Sequence, residues 1–120
     1  MKKITFLLFT FFTISAFSQN KLTSSLSEFY DGTTWLSSDK TEFKYDGNNN
    51  LVEELQFTWN FLNSQWMQSA LTTYTYNANN KVVEEVREEY SQGVTYKYKT
   101  SYSFNSSGDI IQFLDQDWEN

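Results

Sequence analysis

Phe43-Lys44-Tyr45-Asp46-Gly47-Asn48-Asn49-Asn50-Leu51-Val52-Glu53-Glu54 lines up with Tyr74-Thr75-Tyr76-Asn77-Ala78-Asn79-Asn80-Lys81-Val82-Val83-Glu84-Glu85, and a third copy reads Tyr102-Ser103-Phe104-Asn105-Ser106-Ser107-Gly108-Asp109-Ile110-Ile111-Gln112. The shared pattern is aromatic-x-aromatic-(Asp/Asn)-x-(Asn/Ser)-(Asn/Gly)-x-aliphatic, with the second aromatic positions 31 and then 28 residues apart (45, 76, 104). Self-similarity at such a period marks a repeated supersecondary unit. The unit reads as a β-hairpin. Asp46, Asn77 and Asn105 open each turn by accepting backbone hydrogen bonds through their own side chains, and Asn49, Asn80 and Gly108 fill the position that best tolerates a left-handed backbone.

That chemistry suits a three-residue loop closed by a bulge, over 47–49, 78–80 and 106–108, which opposes Tyr45 to Leu51, Tyr76 to Val82 and Phe104 to Ile110. Continuing outward predicts Tyr102 opposite Gln112, Thr100 opposite Leu114 and Tyr96 opposite Trp118. Ser91-Gln92-Gly93 fits the same loop and would oppose Tyr90 to Val94. Asp31-Gly32 is a two-residue hairpin signal, and 60–65 is a longer polar loop.

Seven strands follow, near 21–30, 33–45, 50–59, 66–76, 81–90, 94–104 and 109–118, all alternating with period 2. The alternation predicts one face with Trp35, Phe43, Tyr45, Leu51, Leu55, Phe57, Trp59, Trp66, Ala70, Tyr74, Tyr76, Val82, Val86, Tyr90, Val94, Tyr96, Tyr98, Tyr102, Phe104, Ile110, Leu114 and Trp118. The opposite face would be charged or hydroxylated, from Lys40, Glu42 and Lys44 to Arg87, Lys97, Lys99 and Asp115. The fold class is all-β: an antiparallel up-and-down meander in a single twisted or curled sheet, or a partly closed barrel, because a flat layer would leave the aromatic face in water unless it met another copy. A membrane barrel is set aside, since Asp39, Glu53, Gln68, Glu84, Glu88 and Gln112 would then lie in or near hydrocarbon.

The beginning of the chain is of another kind. Lys2 and Lys3, an apolar run from Ile4 to about Phe12, and Ala16-Phe17-Ser18 describe a Sec-type signal peptide over 1–18, cut before Gln19. Ile4 to Phe17 is shorter than the roughly 20 residues of a spanning helix. Residues 19–120 are then one small β-repeat domain, secreted to the periplasm or the cell surface. Its 7 basic and 15 acidic residues give a net charge of −8, against −6 for the whole chain of 120 residues. That balance speaks against nucleic acid, and against an anionic membrane once the signal is removed.

Composition narrows the chemistry. With no His and no Cys there is no imidazole base, thiol nucleophile, disulfide, tetrahedral zinc site or Cys-ligated cluster. The expectation is no enzyme, no cofactor and no metal. The oxygen-rich turns 46–50 and 105–109 could hold a hard cation such as Ca²⁺, but turn formation accounts for the same residues. Glu53, Glu84 and Glu88 are the carboxylates left for glycoside hydrolysis, which requires two of them flanking one sugar bond. Neighbours within Glu53-Glu54, Glu84-Glu85 and Glu88-Glu89 point to opposite faces of a strand, so none of those doublets is a catalytic pair by itself.

The aromatic content, 19%, is the remaining functional feature. Trp35, Trp59, Trp66, Tyr96 and Trp118 are candidate platforms for a polypeptide partner or a polysaccharide, against the simpler reading that such rings build the core. Self-association through sheet edges is the other partner expectation, with the Ser/Thr-rich first strand the weakest element.

The aromatic-x-Tyr-Asp-x-Asn-Gly-x-Leu pattern resembles the YD/RHS-type repeats, and in particular the degenerate β-hairpin repeats of secreted and surface proteins of Gram-negative bacteria. It covers nearly all of 19–120. The resemblance implies a spiralling sheet that can build a hollow shell or an extended surface; the three hairpin copies, the signal peptide and the absent catalytic side chains read together as a non-catalytic module with a structural, adhesive or protein-binding role. This chain departs from it in having few copies, no Arg before the Tyr-x-Tyr element, Gly at the turn's last position only at Gly108, and no sorting domain at its C-terminal end.

Overall fold

A computed structural model describes residues 21–119, with side chains as far as Asp117; the expected signal peptide, 1–18, lies outside the described residues. Seven strands make one antiparallel sheet: β1 (Ser24–Tyr30), β2 (Trp35–Tyr45), β3 (Leu51–Asn60), β4 (Gln65–Tyr76), β5 (Val82–Ser91), β6 (Val94–Phe104) and β7 (Ile110–Glu119). They pair in chain order, β1-β2-β3-β4-β5-β6-β7. β1 does not meet β7, so the sheet is an open meander, and the described residues contain no helix.

The three repeated turns are built alike. Asp46 Oδ1 accepts from the Asn48 and Asn50 amides (2.8 Å each), Asn77 Oδ1 from the Asn79 and Lys81 amides (2.9 and 3.1 Å), and Asn105 Oδ1 from the Asp109 amide (2.8 Å). The fourth turn residue stands in the left-handed region in every copy, with φ of 73° at Asn49, 56° at Asn80 and 85° at Gly108. The first pairs beyond the turns are Tyr45–Leu51, Tyr76–Val82 and Phe104–Ile110.

One residue later the register slips. Lys44 pairs with Glu53, Thr75 with Glu84 and Ser103 with Gln112, which leaves Val52, Val83 and Ile111 as extra residues on the outgoing strands. Two further bulges place Ser69 on β4 and Ser38 on β2 in the same role. Each extra residue reverses the parity of everything beyond it. Tyr102 therefore opposes Phe113 rather than Gln112, Thr100 opposes Asp115 rather than Leu114, and Tyr96 opposes Glu119 rather than Trp118. The other connections are also corrected. Gln92 and Gly93 form a two-residue turn with φ of 50° and 84°, so Tyr90 opposes Thr95 and Ser91 opposes Val94. Asp31–Thr34 make a four-residue loop between Tyr30 and Trp35, in which Asp31 Oδ1 accepts from both Thr33 and Thr34 amides.

The expected division into one apolar and one charged face is accordingly overturned. One face, the tyrosine face, carries Phe43, Tyr45, Leu51, Tyr74, Tyr76, Val82, Tyr96, Tyr98, Tyr102 and Phe104 among Glu54, Gln56, Glu85, Arg87, Glu89 and Asp115. The other, the tryptophan face, carries Trp35, Leu55, Phe57, Trp59, Trp66, Leu71, Val86 and Tyr90 among Lys40, Glu42, Lys44, Glu53, Glu84, Glu88, Lys97 and Lys99. Neither face is covered. Among the described side chains only Ala70 (2% exposed) and Thr72 (3%), both on the central strand β4, are buried.

Stability is therefore distributed along cross-strand pairs and not gathered in a core. On the tryptophan face lysines clamp carboxylates: Lys40 to Glu42 (2.8 Å), Lys97 to Glu88 (2.9 Å), Lys99 to Glu84 (2.5 Å), and Lys44 to Glu53. Adjacent hairpins are tied at their turn ends. Tyr45 OH donates to Leu22 O (3.0 Å), Tyr76 OH to Leu51 O (2.8 Å), and Asn50 Nδ2 to Asn80 Oδ1 (3.2 Å). In the third copy Phe104 has no hydroxyl; Lys81 lies 5.2 Å from its ring centroid and its ammonium bonds the Gly108 carbonyl instead.

Candidate functional site

Three constellations carry the chemistry of the sheet. The first is aromatic and lies on the tryptophan face at the end away from the repeated turns. β3 ends in Trp59 and β4 begins with Trp66, and their rings meet edge to face, 5.1 Å between centroids at 70°. Lys40 of β2 lies 4.5 Å from the Phe57 centroid and 5.6 Å from that of Trp66, a cation held over two rings while it also binds Glu42. Trp35 stands farther toward the β1 edge, two-thirds exposed, against Tyr30 at 5.4 Å. Bulge parity brings Trp35, Trp59 and Trp66 to one face at one end. Tyr96 is turned to the opposite face, where it opposes Glu89. Trp118 takes the register position opposite Lys97 in β7; its side chain lies outside the described ones.

The second constellation is polar and sits mid-sheet on the tyrosine face, above Ala70 and Thr72. Arg87 reaches across three strands, with Nε to Glu89 Oε1 (2.8 Å), Nη1 to Thr72 Oγ1 (3.3 Å) and Nη2 to Gln56 Oε1 (3.1 Å), while Gln56 Nε2 donates to Glu54 Oε1 (2.8 Å). Beside it the Tyr74 hydroxyl is pushed up to about 12, mainly by burial and then by the negative charges of Glu54 and Glu85. Tyr74 therefore stays a neutral donor throughout the physiological range. Sequence reasoning did not single out this group, because Gln56, Thr72 and Arg87 converge only once the register of three strands is fixed. A cue was present in Arg87, the chain's one arginine.

The third is the turn end. A hollow of about 450 Å³ opens between the second and third hairpins, lined by Lys81, Val82, Glu85, Tyr102, Phe104 and Ile110. Its walls are mainly apolar, with the Lys81 ammonium at the rim.

The carboxylates expected for glycoside hydrolysis are engaged one by one. Glu53 is bound by Lys44, and Glu84 by Lys99. Glu88 is bound by Lys97 and by Tyr90 OH (3.0 Å), and those two donors hold its carboxyl below the usual range. The turn carboxylate Asp46 is likewise held low, first by the Asn50 amide. Among the described residues no group of three or more acidic side chains is gathered as metal ligands would be. The turn residues Asp46, Asn49, Asn77, Asn80, Asn105 and Gly108 are bound to their own loops.

No family model matches the chain, and no curated protein matches it. Two solved structures are similar to it. One is a DUF3836 family protein from Bacteroides vulgatus, 20% identical over 78% of this chain and 85% of that one, with a TM-score of 0.44. The other is a DUF3836 family protein from Parabacteroides distasonis, 15% identical over 82% of this chain and 79% of that one, with a TM-score of 0.45.

Proposed function

We propose that this chain is an exported, non-catalytic β-repeat module with a structural, adhesive or protein-binding role at the cell surface or in the periplasm. The observation that carries the reading is the open sheet itself: two unpaired edges, two half-covered faces and no large side chain fully buried among the described residues. A layer built in this way gains stability from whatever covers it, which suits a unit that works by contact. Lys2 to Ser18 support export, and the three hairpin copies, similar to YD/RHS-type repeats, support a scaffolding role. The lysine clamps on Glu53, Glu84 and Glu88 support the absence of catalysis, since a general acid needs a free path to substrate.

The test is expression of the full chain in a Gram-negative host, followed by N-terminal sequencing and light-scattering mass of the exported product. A product beginning at Gln19 outside the cytoplasm that self-associates or is retained on immobilised surface proteins fits the reading. A cytoplasmic, uncleaved chain or hydrolytic turnover refutes it.

The gathering of Trp35, Trp59 and Trp66 on one face favours a second reading, a carbohydrate-binding module that stacks sugar rings on indoles. Quenching or a shift of tryptophan fluorescence with one polysaccharide in a panel, lost in Trp66→Ala, supports it. Flat titrations across the panel remove it.

A further inference from the structure

Two side chains of opposite charge line the hollow at the turn end, Lys81 and Glu85, and neither has an ion-pair partner among the described residues. The register sets them at opposite ends of it. Glu85 pairs with Thr100, whereas the Lys81 ammonium lies beside Phe104 and bonds the Gly108 carbonyl beyond it. Tyr102 and Phe104 fall between them on the same face, with Val82 and Ile110 along the sides. From Thr100 to Phe104 the strand runs about 14 Å, which the two charged side chains, reaching into the hollow, shorten to the span of a short aliphatic chain. Both groups keep bonding capacity. Glu85 has no hydrogen bond among the described residues, and its charge helps to hold the Tyr74 phenol up. Arg87, two residues along β5, is spent on Glu89, Thr72 and Gln56, and Asp115, the next carboxylate in the Thr100 row, accepts from the Thr100 hydroxyl at 2.7 Å. Of the three ammonium protons of Lys81 the Gly108 carbonyl takes one. An anion alone would meet Glu85, and a cation alone would meet Lys81. A molecule with one charge at each end answers both, and the aromatic floor receives the apolar stretch between them.

We propose that this hollow binds a small ω-amino acid: a chain-like molecule with an ammonium set against Glu85, a carboxylate set against Lys81, and an apolar body lying along Tyr102 and Phe104. The site goes beyond the module reading and is independent of it, since it needs neither export nor a polypeptide partner. Charge-assisted hydrogen bonds at the two ends supply the specificity, and burial of the apolar body against the two rings supplies the rest of the affinity.

The probes are ε-aminocaproate, hexylamine and hexanoate, which share one apolar length and differ in their end groups, each titrated into the full chain and followed by isotope-edited NMR of the backbone amides. Saturable binding of ε-aminocaproate is expected, with shifts centred on 81–85 and 102–110 and an affinity about tenfold or more above that of either single-ended probe. Glu85→Gln should lower ε-aminocaproate to the level of hexanoate, and Lys81→Met to the level of hexylamine, while Glu42→Gln on the tryptophan face changes nothing. Lys81 also ties the third turn, so should Lys81→Met lose its strand circular dichroism, the probe series on the parent and on Glu85→Gln decides alone. Equal affinity for the three probes, tighter binding of hexylamine or hexanoate than of ε-aminocaproate, indifference to Glu85→Gln, or no binding overturns the proposal.

Discussion

Removing the Tyr76 hydroxyl isolates the tie between neighbouring hairpins. Tyr76→Phe keeps the ring and its half-buried packing and deletes one hydrogen bond of 2.8 Å to Leu51 O. A neutral hydrogen bond contributes about 0.5–1.5 kcal/mol net, and the full penalty of an unmet buried carbonyl does not apply here because Leu51 lies at the turn end, near water. The expected loss is about 1 kcal/mol, or about 5 °C in Tm for a domain of this size. Urea unfolding followed by tryptophan fluorescence reads it directly, and the m value should not change because the substitution leaves the surface exposed on unfolding unaltered. Tyr45→Phe is the internal comparison. Its hydroxyl reaches Leu22 O at 3.0 Å, in the exposed segment just before the first strand, so it should cost less than Tyr76→Phe. A neutral Tyr76→Phe, or a Tyr45→Phe that costs more, would refute the idea that inter-hairpin hydroxyl ties hold the turn end together.

Three further outcomes are expected. Tyr74 is raised from near 10 to about 12, so above pH 10 the unfolded chain loses this proton first and stability falls as pH rises toward 12; Tyr74→Phe should flatten that alkaline limb, with absorbance at 295 nm reporting the late phenol. Glu88 is lowered, so the stability it contributes is present above its unfolded value of about 4.5 and is lost as pH falls through the lower folded value. Tyr90→Phe and Lys97→Met should each destabilise at pH 7, with the difference from the parent shrinking in acid unfolding below pH 4. Gly108 combines a φ of 85° with the Lys81 ammonium pressed against the space a side chain would need. Gly108→Val should therefore cost about 1–3 kcal/mol and Gly108→Asn clearly less, checked by thermal melts of both.

Much of this fold is written in short-range chemistry, and the part that is not has a specific cause. Asp46, Asn77 and Asn105 with their left-handed partners specify a turn within five residues, so loop positions and first pairs follow from local pattern alone. The faces depend on counting residues away from those turns, and one extra residue reverses the result. Val52, Val83 and Ile111 need no glycine and fit either side of a strand, so they carry no compositional mark. The available cue is the aliphatic doublet itself, Leu51-Val52, Val82-Val83 and Ile110-Ile111, which interrupts the alternation at the same place three times. Trp35, Trp59 and Trp66 remain together because bulges at Ser38, Ser69 and Val52 reverse all three, whereas Tyr96, on a strand without one, goes to the other side. The Arg87 network stays out of reach of sequence because Gln56, Thr72 and Glu89 are separated from one another by 16 and 17 residues and meet only across strands.

Each strand touches only those before and after it in sequence, and β1 and β7 stand at opposite margins of the sheet. A pull applied between those margins loads the ladders one rung at a time and never shears two strands along their whole length. The layer should consequently come apart like a zip, strand by strand at low force and with little hysteresis, and re-form from any surviving hairpin. Under tension such a layer would lengthen by one strand at a time, its two margins moving apart while the middle stays paired.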